Sequence, residues 1–161
     1  SFASGFSWIN GLTTVDPGGF TGIGTAYCGP AAPNSTGMGG TAHATGSIFA
    51  SHDNLTLVAS NLPNGQFAYF LGSQTQGLVV QPGGSQGNLC VSGNIARFNA
   101  QVGAVVGGEY SIVVDMTTVP EPPGLSHVIV AGETWNFQCW YRDVNPIPTS
   151  NFTDGTSIAF Q

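Results

Sequence analysis

"TWNFQCWYR", residues 134–142, sets Trp135, Phe137, Cys139 and Tyr141 at alternate positions, with Asn136, Gln138 and Trp140 between them. Successive side chains of a strand point to opposite faces, so the first four share one face and Trp140 belongs to the other. Cys139, flanked by aromatic residues on its face, reads as a small buried hydrophobe. The same short β-favouring grain recurs in "HATGSIFA", "LTLVAS", "GQFAYFLG", "GLVVQ", "NLCVSG", "IARFNA", "EYSIVVD", "HVIVAG" and "TSIAFQ". Several of these runs alternate polar with apolar, as half-buried strands do. Turn-forming segments such as "SNLPNGQ", "QPGGSQGN", "VGAVVGG" and "VPEPPG" separate them. No window carries a helical stripe. With 24 Gly and 10 Pro in 161 residues, the expected fold is all-β. A two-sheet sandwich of the immunoglobulin-like or jelly-roll kind is the natural way to bury such strands.

The charge balance excludes several partners. There is no Lys, two Arg stand against eight acidic residues, and the net charge is −6, so nucleic acid would be repelled. The same lack of cations removes a basic face for anionic lipid, and no apolar stretch approaches the ~20 residues of a membrane span. The chain begins at Ser1 without a charged-then-apolar leader, which reads as a mature end left by processing, and the expected location is extracellular or at the cell surface. Three cysteines fit one disulfide and one thiol; with Cys139 in a core, Cys28 and Cys90 are the favoured pair. Asn34, Asn54 and Asn151 begin Asn-x-Ser/Thr triplets, the acceptor pattern for glycans on an exported protein.

From about Gly24 to Gln161, the order of "YCGPAAPNSTG", "LTLVASNLPNGQFAYFL", "PGGSQGNLC", "EYSIVVD", "AGETWNFQCWYRD" and "SNFTDGTSIAF" resembles an all-β module found at the C-terminal end of large secreted multidomain proteins of environmental bacteria. The resemblance implies an exported accessory domain and brings no catalytic site with it. In that module the cysteines of "YC" and "NLC" recur while the position of Cys139 is usually Ala, which implies the Cys28–Cys90 pairing. It does not reach residues 1–23.

Five groups of residues invite chemical readings. "GGSQG", residues 83–87, satisfies the G-x-S-x-G pattern of a hydrolase elbow, but the strand-like "NLCVSG" follows where a helix is required, so Ser85 reads as a turn residue. His43, His52 and His127 have no metal-ligand spacing and read as surface or turn residues, and no cofactor is called for. Asp143, Asn145, Asn151 and Asp154 fall in "RDVNPIPTSNFTDG", an oxygen-rich stretch read as a loop of the sort that holds calcium, though without an EF-hand spacing. Trp135, Trp140 and Tyr141 would build a sugar-stacking platform if Trp140 faced out. Arg97 and Arg142 are read as partners in buried or interface ion pairs.

The first sixteen residues, "SFASGFSWINGLTTVD", place Phe2, Phe6, Trp8 and Leu12 at even positions, and the Gly-rich "DPGGFTGIG" then forms a joint. The organisation is thus an arm and joint over residues 1–24 and a sandwich module over residues 25–161. Burying the four apolar side chains is worth about 6–12 kcal/mol. Ordering some twelve residues costs roughly 12–24 kcal/mol. About ten main-chain hydrogen bonds at ~0.5–1.5 kcal/mol each close that gap, so the arm is expected to enter a sheet as a strand. The favoured function is an extracellular, fimbria-like structural filament subunit whose arm completes the sandwich of the next copy, giving a head-to-tail homopolymer. The alternative is a secreted accessory module that binds carbohydrate; neither reading makes the chain an enzyme.

Overall fold

The computed structural model describes residues 22–161. In chain order its strands are β1 (Gly22–Ile23), β2 (Thr25–Tyr27), β3 (Thr41–Gly46), β4 (Leu55–Ser60), β5 (Phe67–Ser73), β6 (Thr75–Val79), β7 (Leu89–Ser92), β8 (Ala96–Arg97), β9 (Gly103–Ala104), β10 (Tyr110–Val114), β11 (Val119–Glu121), β12 (Leu125–His127), β13 (Thr134–Val144) and β14 (Pro148–Ala159). Three single 3-10 turns are the helical content of the described residues. The fold is mostly β, as the sequence led one to expect. Phe2, Phe6, Trp8 and Leu12, read as a donated strand, lie outside the described residues.

Two antiparallel sheets share the main core. One has the order β1-β3-β4-β10 and the other β2-β14-β13-β5, with β8 and β9 both pairing the far side of β5. The alternation that reads out of the sequence explains the packing. Leu55, Leu57 and Ala59 of β4 and Tyr110, Ile112 and Val114 of β10 turn inward from the first sheet. They meet Phe70 of β5, Ile158 of β14, and Trp135, Phe137, Cys139 and Tyr141 of β13 in one buried cluster. Each fully buried Leu or Phe of this set contributes about 1.5–3 kcal/mol relative to exposure.

The second sheet is also covered on its outer face. The β6–β7 hairpin lies over it, with Val91 packed against Leu71 and Phe152, and Tyr69 and Trp140 beside them. Gln138 has no exposed surface; its Oε1 accepts the Cys90 N–H at 2.8 Å, and its Nε2 donates to the carbonyls of Asn88 and Thr153. A carboxamide with two donors and an acceptor is thereby satisfied in the interior. The Cys28–Cys90 disulfide, spanning 62 residues, ties the end of β2 to the same hairpin, and Cys139 is the free, buried cysteine.

Gly24 is where the chain changes sheets, from β1 in one to β2 in the other. Its φ is +87°, and a Cβ there would meet the Ser157 carbonyl at 2.8 Å, so glycine is required on both counts. Gly22 and Ile23, read as the end of the joint, pair with Thr45 and Ala44 and belong to the body. The stretch 142–155 read as a loop is instead mostly hairpin: Val144 pairs with Pro148 and Arg142 with Ser150, leaving only 145–147 as the turn. Pro148 sits at the first residue of its strand, where a proline costs no ladder bond.

Candidate functional site

Two features of the described surface carry the chemistry: an open sheet edge and a polar pocket. β10 ends its sheet, pairing only with β4. The carbonyl of Val113 accepts a hydrogen bond from Gln101 Nε2 at 2.9 Å, so Val113 turns its main chain away from β4. Ser111, two residues earlier, faces the same way. Val102, Val106 and Val113 expose their side chains along or beside this strand. Natural sheet edges are blunted by Lys, Pro, bulges or covering segments. "YSIVV" contains neither Lys nor Pro, its pairing with β4 is regular, and its cover is one glutamine amide. On the opposite edge of the same sheet stands β1, the first described strand.

The pocket has a volume of about 190 Å³. Gln74 and Thr75 supply one wall where β5 passes into β6, Asn94 a second, and Pro120, Glu121 and His127 of the β11–β12 hairpin a third, with Trp135 at the base. His127 is held between two carboxylates: Nε2 lies 2.9 and 3.0 Å from the two oxygens of Glu133, and Nδ1 lies 3.8 Å from Glu121. Glu133 also accepts from the Trp135 indole N–H at 3.0 Å and from the Val130 N–H. Burial pushes its carboxyl up, but the indole, the His127 ring and the Val130 N–H together outweigh that and hold it below the ordinary Glu value.

The other sequence candidates fall elsewhere. Ser85 is buried, its Oγ donating to the Ser150 carbonyl at 3.0 Å and accepting the Gly87 N–H; no helix follows it, and its partners are main chain. His43 is half-buried on β3, and His52 meets Ser47 Oγ at 2.8 Å. Asp143, Asn145, Asn151 and Asp154 do not converge. The first accepts from the Ser35 and Val144 N–H groups, and the second donates to Gln86. Asn151 donates to the carbonyls of Ala32 and Pro33, and Asp154 accepts the Ala42 N–H at 2.6 Å. Burial raises the Asp154 carboxyl against that hydrogen bond and the nearby His43. Asp143, Asn151 and Asp154 fasten residues 32–42 onto β13 and β14.

Among the glycan acceptor positions, Asn54 is exposed, whereas Asn34 and Asn151 are buried with their amide nitrogens donating inside the protein, Asn34 to Asn61 O and Tyr141 Oη. Trp135 and Tyr141 face the core and Trp140 packs on Tyr69 at 5.2 Å between ring centres, so the three rings form no shared exposed platform. Arg97 and Arg142 are exposed and make no ion pair among the described residues, contrary to the buried pairs expected of them. The His127–Glu133–Trp135 cluster has no sequence motif: it depends on the β11–β12 hairpin bringing residue 127 back onto the start of β13.

Compared with protein-family models, with curated proteins and with solved structures, the chain has no significant match. Its function is therefore argued from these two features.

Proposed function

We propose that the chain is an extracellular structural filament subunit, in which residues 2–12 of one copy add as a strand to the β10 edge of the next. The supporting observation is that one sheet has β1, the first described strand, at one edge and at the other the open edge of β10, whose own five residues are uncharged and lie between the exposed Glu109 and Asp115. Main-chain pairing would satisfy Ser111 and Val113, and Phe2, Phe6, Trp8 and Leu12 would cover Val102, Val106 and Val113. Nine residues, 13–21, join the donated strand to β1, a reach of up to about 30 Å when extended. Crossing a four-stranded sheet takes only about 14 Å, so a neighbour is within range. Because donor and acceptor are different surfaces, the contact is heterologous and repetition gives an open fibre. The disulfide and the absence of any long apolar helix among the described residues fit an exported protein. The resemblance to modules of secreted proteins points the same way.

The test is electron microscopy and light scattering of the full chain beside a variant lacking residues 1–15. The full chain should build fibres, and the truncated chain should stay monomeric and take up a peptide of residues 1–15. Fibres of unchanged repeat from the truncated chain would overturn the mechanism.

A further inference from the structure

We infer that Glu109 and Asp115 make the β10 edge refuse a second copy of itself while leaving it open to an uncharged strand. The inference rests on the reading of β10 as the acceptor and concerns how that edge chooses its partner. β10 offers five residues, Tyr110–Val114, and the main chain of Ser111 and Val113 points away from β4. Two copies therefore have the means to pair edge to edge, antiparallel about a two-fold axis through Ile112. That register aligns all five residues and sets Ser111 of each copy against Val113 of the other, with their outward main-chain groups exchanged. One step past each end of the strand, it also sets Glu109 of either copy directly opposite Asp115 of the other.

The two carboxylates meet on one face. Glu109, Ser111, Val113 and Asp115 are exposed and alternate with the buried Tyr110, Ile112 and Val114. Directly opposite side chains of an antiparallel pair have Cβ atoms about 4.5–5.5 Å apart, and like charges there are destabilising. The two-fold axis imposes that repulsion twice. Asp115 is fixed in place: its Oδ1 accepts the Thr117 N–H at 2.9 Å and the Thr117 hydroxyl at 2.6 Å, and its Oδ2 accepts the Thr118 hydroxyl at 2.8 Å. These bonds, the Thr117 hydroxyl first, hold its carboxyl below the ordinary Asp value, so it is charged at neutral pH. Glu109 accepts the Ser60 hydroxyl at 3.2 Å and has no ion-pair partner among the described residues. A register shifted by two residues avoids the clash but pairs only three of the five residues of β10. Gln101, which donates to the Val113 carbonyl, must give way to any partner and does not discriminate. Residues 2–12 contain no charged side chain, so a strand donated from them meets Glu109 and Asp115 without a like charge in any register. The edge thus disfavours the closed two-fold dimer, which ends growth, and accepts the heterologous contact that continues it.

The chain lacking residues 1–15 tests this edge without the arm. In sedimentation equilibrium it should be monomeric. Glu109→Arg in that chain should produce a dimer, because one change makes both cross-strand pairs opposite in sign, and the association constant should rise at least about tenfold. That dimer should weaken as added salt screens the pairs. Adding Asp115→Asn, which keeps an acceptor oxygen for the Thr117 N–H, should cancel most of the gain. The inference fails if the truncated parent dimerises as tightly as Glu109→Arg, if Glu109→Arg stays monomeric up to about 1 mM, or if its dimer survives Asp115→Asn. Uptake of the peptide of residues 1–15 is read separately on the truncated parent. If Glu109→Arg dimerises and the parent takes up no peptide, the edge is guarded as inferred and residues 1–15 are not its donor.

Discussion

Glu133 takes donors from three directions, and that makes it the residue whose contribution is easiest to isolate. A carboxyl with a depressed folded pKa holds its proton more weakly folded than unfolded. Its stabilising effect is therefore complete above the unfolded value of about 4.3 and disappears as pH falls through the lower folded value. Urea midpoints of the parent and of Glu133→Gln should accordingly differ by a constant amount above about pH 5.5, and converge as pH drops below about 4. A difference that persists undiminished to about pH 2 would mean that the charge on Glu133 is not what its three donors recognise. Little of this cluster was legible in the chain, because Glu121, His127 and Glu133 are six residues apart and nothing in their spacing marks a site. Cys139 is the opposite case: alternation alone put it beside Trp135, Phe137 and Tyr141, and all four are buried. Ser85 lies between; its turn role was readable, but its burial under Ser150 was not.

At the scale of elements, alternation foretold the inner face of β13 but not that its outer face is covered as well. Asn136 and Gln138, which on polarity alone belong in water, are buried because the β6–β7 hairpin folds over them. Gln138 is what makes this tolerable. Replacing it by Ala would leave the Cys90 N–H and the Thr153 carbonyl without their partner in the interior, where each lost partner costs about 1–3 kcal/mol, and would also free the part-buried Asn88 carbonyl. The disulfide keeps β7 close in the variant, so the expected outcome is a loosened hairpin within a folded protein. Gln138→Ala should unfold about 3 kcal/mol more easily, and its amide exchange should quicken first at residues 89–92. Exchange that rises evenly over both sheets would show that Gln138 supports the core and not the hairpin. The error over residues 142–155 has a related cause. Asx and Pro residues favour turns locally, yet here Pro148 begins a strand, and Asp143 and Asn151 turn their side chains to the segment running from Ala32 to Ser35.

For the whole molecule the decisive quantity is the charge count. Eight acidic residues against two Arg and no Lys leave little material for ion pairs between copies, and both Arg97 and Arg142 are exposed singly. Bringing identical subunits of charge −6 together therefore carries a repulsive term that strand pairing and apolar burial must exceed. The repulsion is long-ranged at low salt, where the screening length is about 30 Å at 0.01 M, and short-ranged at about 8 Å near 0.15 M. The main-chain hydrogen bonds and the covering of the exposed Val102, Val106 and Val113 that the proposed contact would supply are not weakened by that change. Assembly by strand donation should thus strengthen as salt rises, the polymer fraction in sedimentation growing between those two ionic strengths. Changing Val113 to Lys should act against it in a specific way. Val113 is 66 % exposed, so the fold should survive with its melting temperature nearly unchanged, while an ammonium placed at the acceptor edge blocks the incoming apolar strand even where salt has removed the general repulsion. If salt dissolves the polymers, or if Val113→Lys assembles as the parent does, the contact between copies rests on charged groups or on another face, and β10 is not the acceptor.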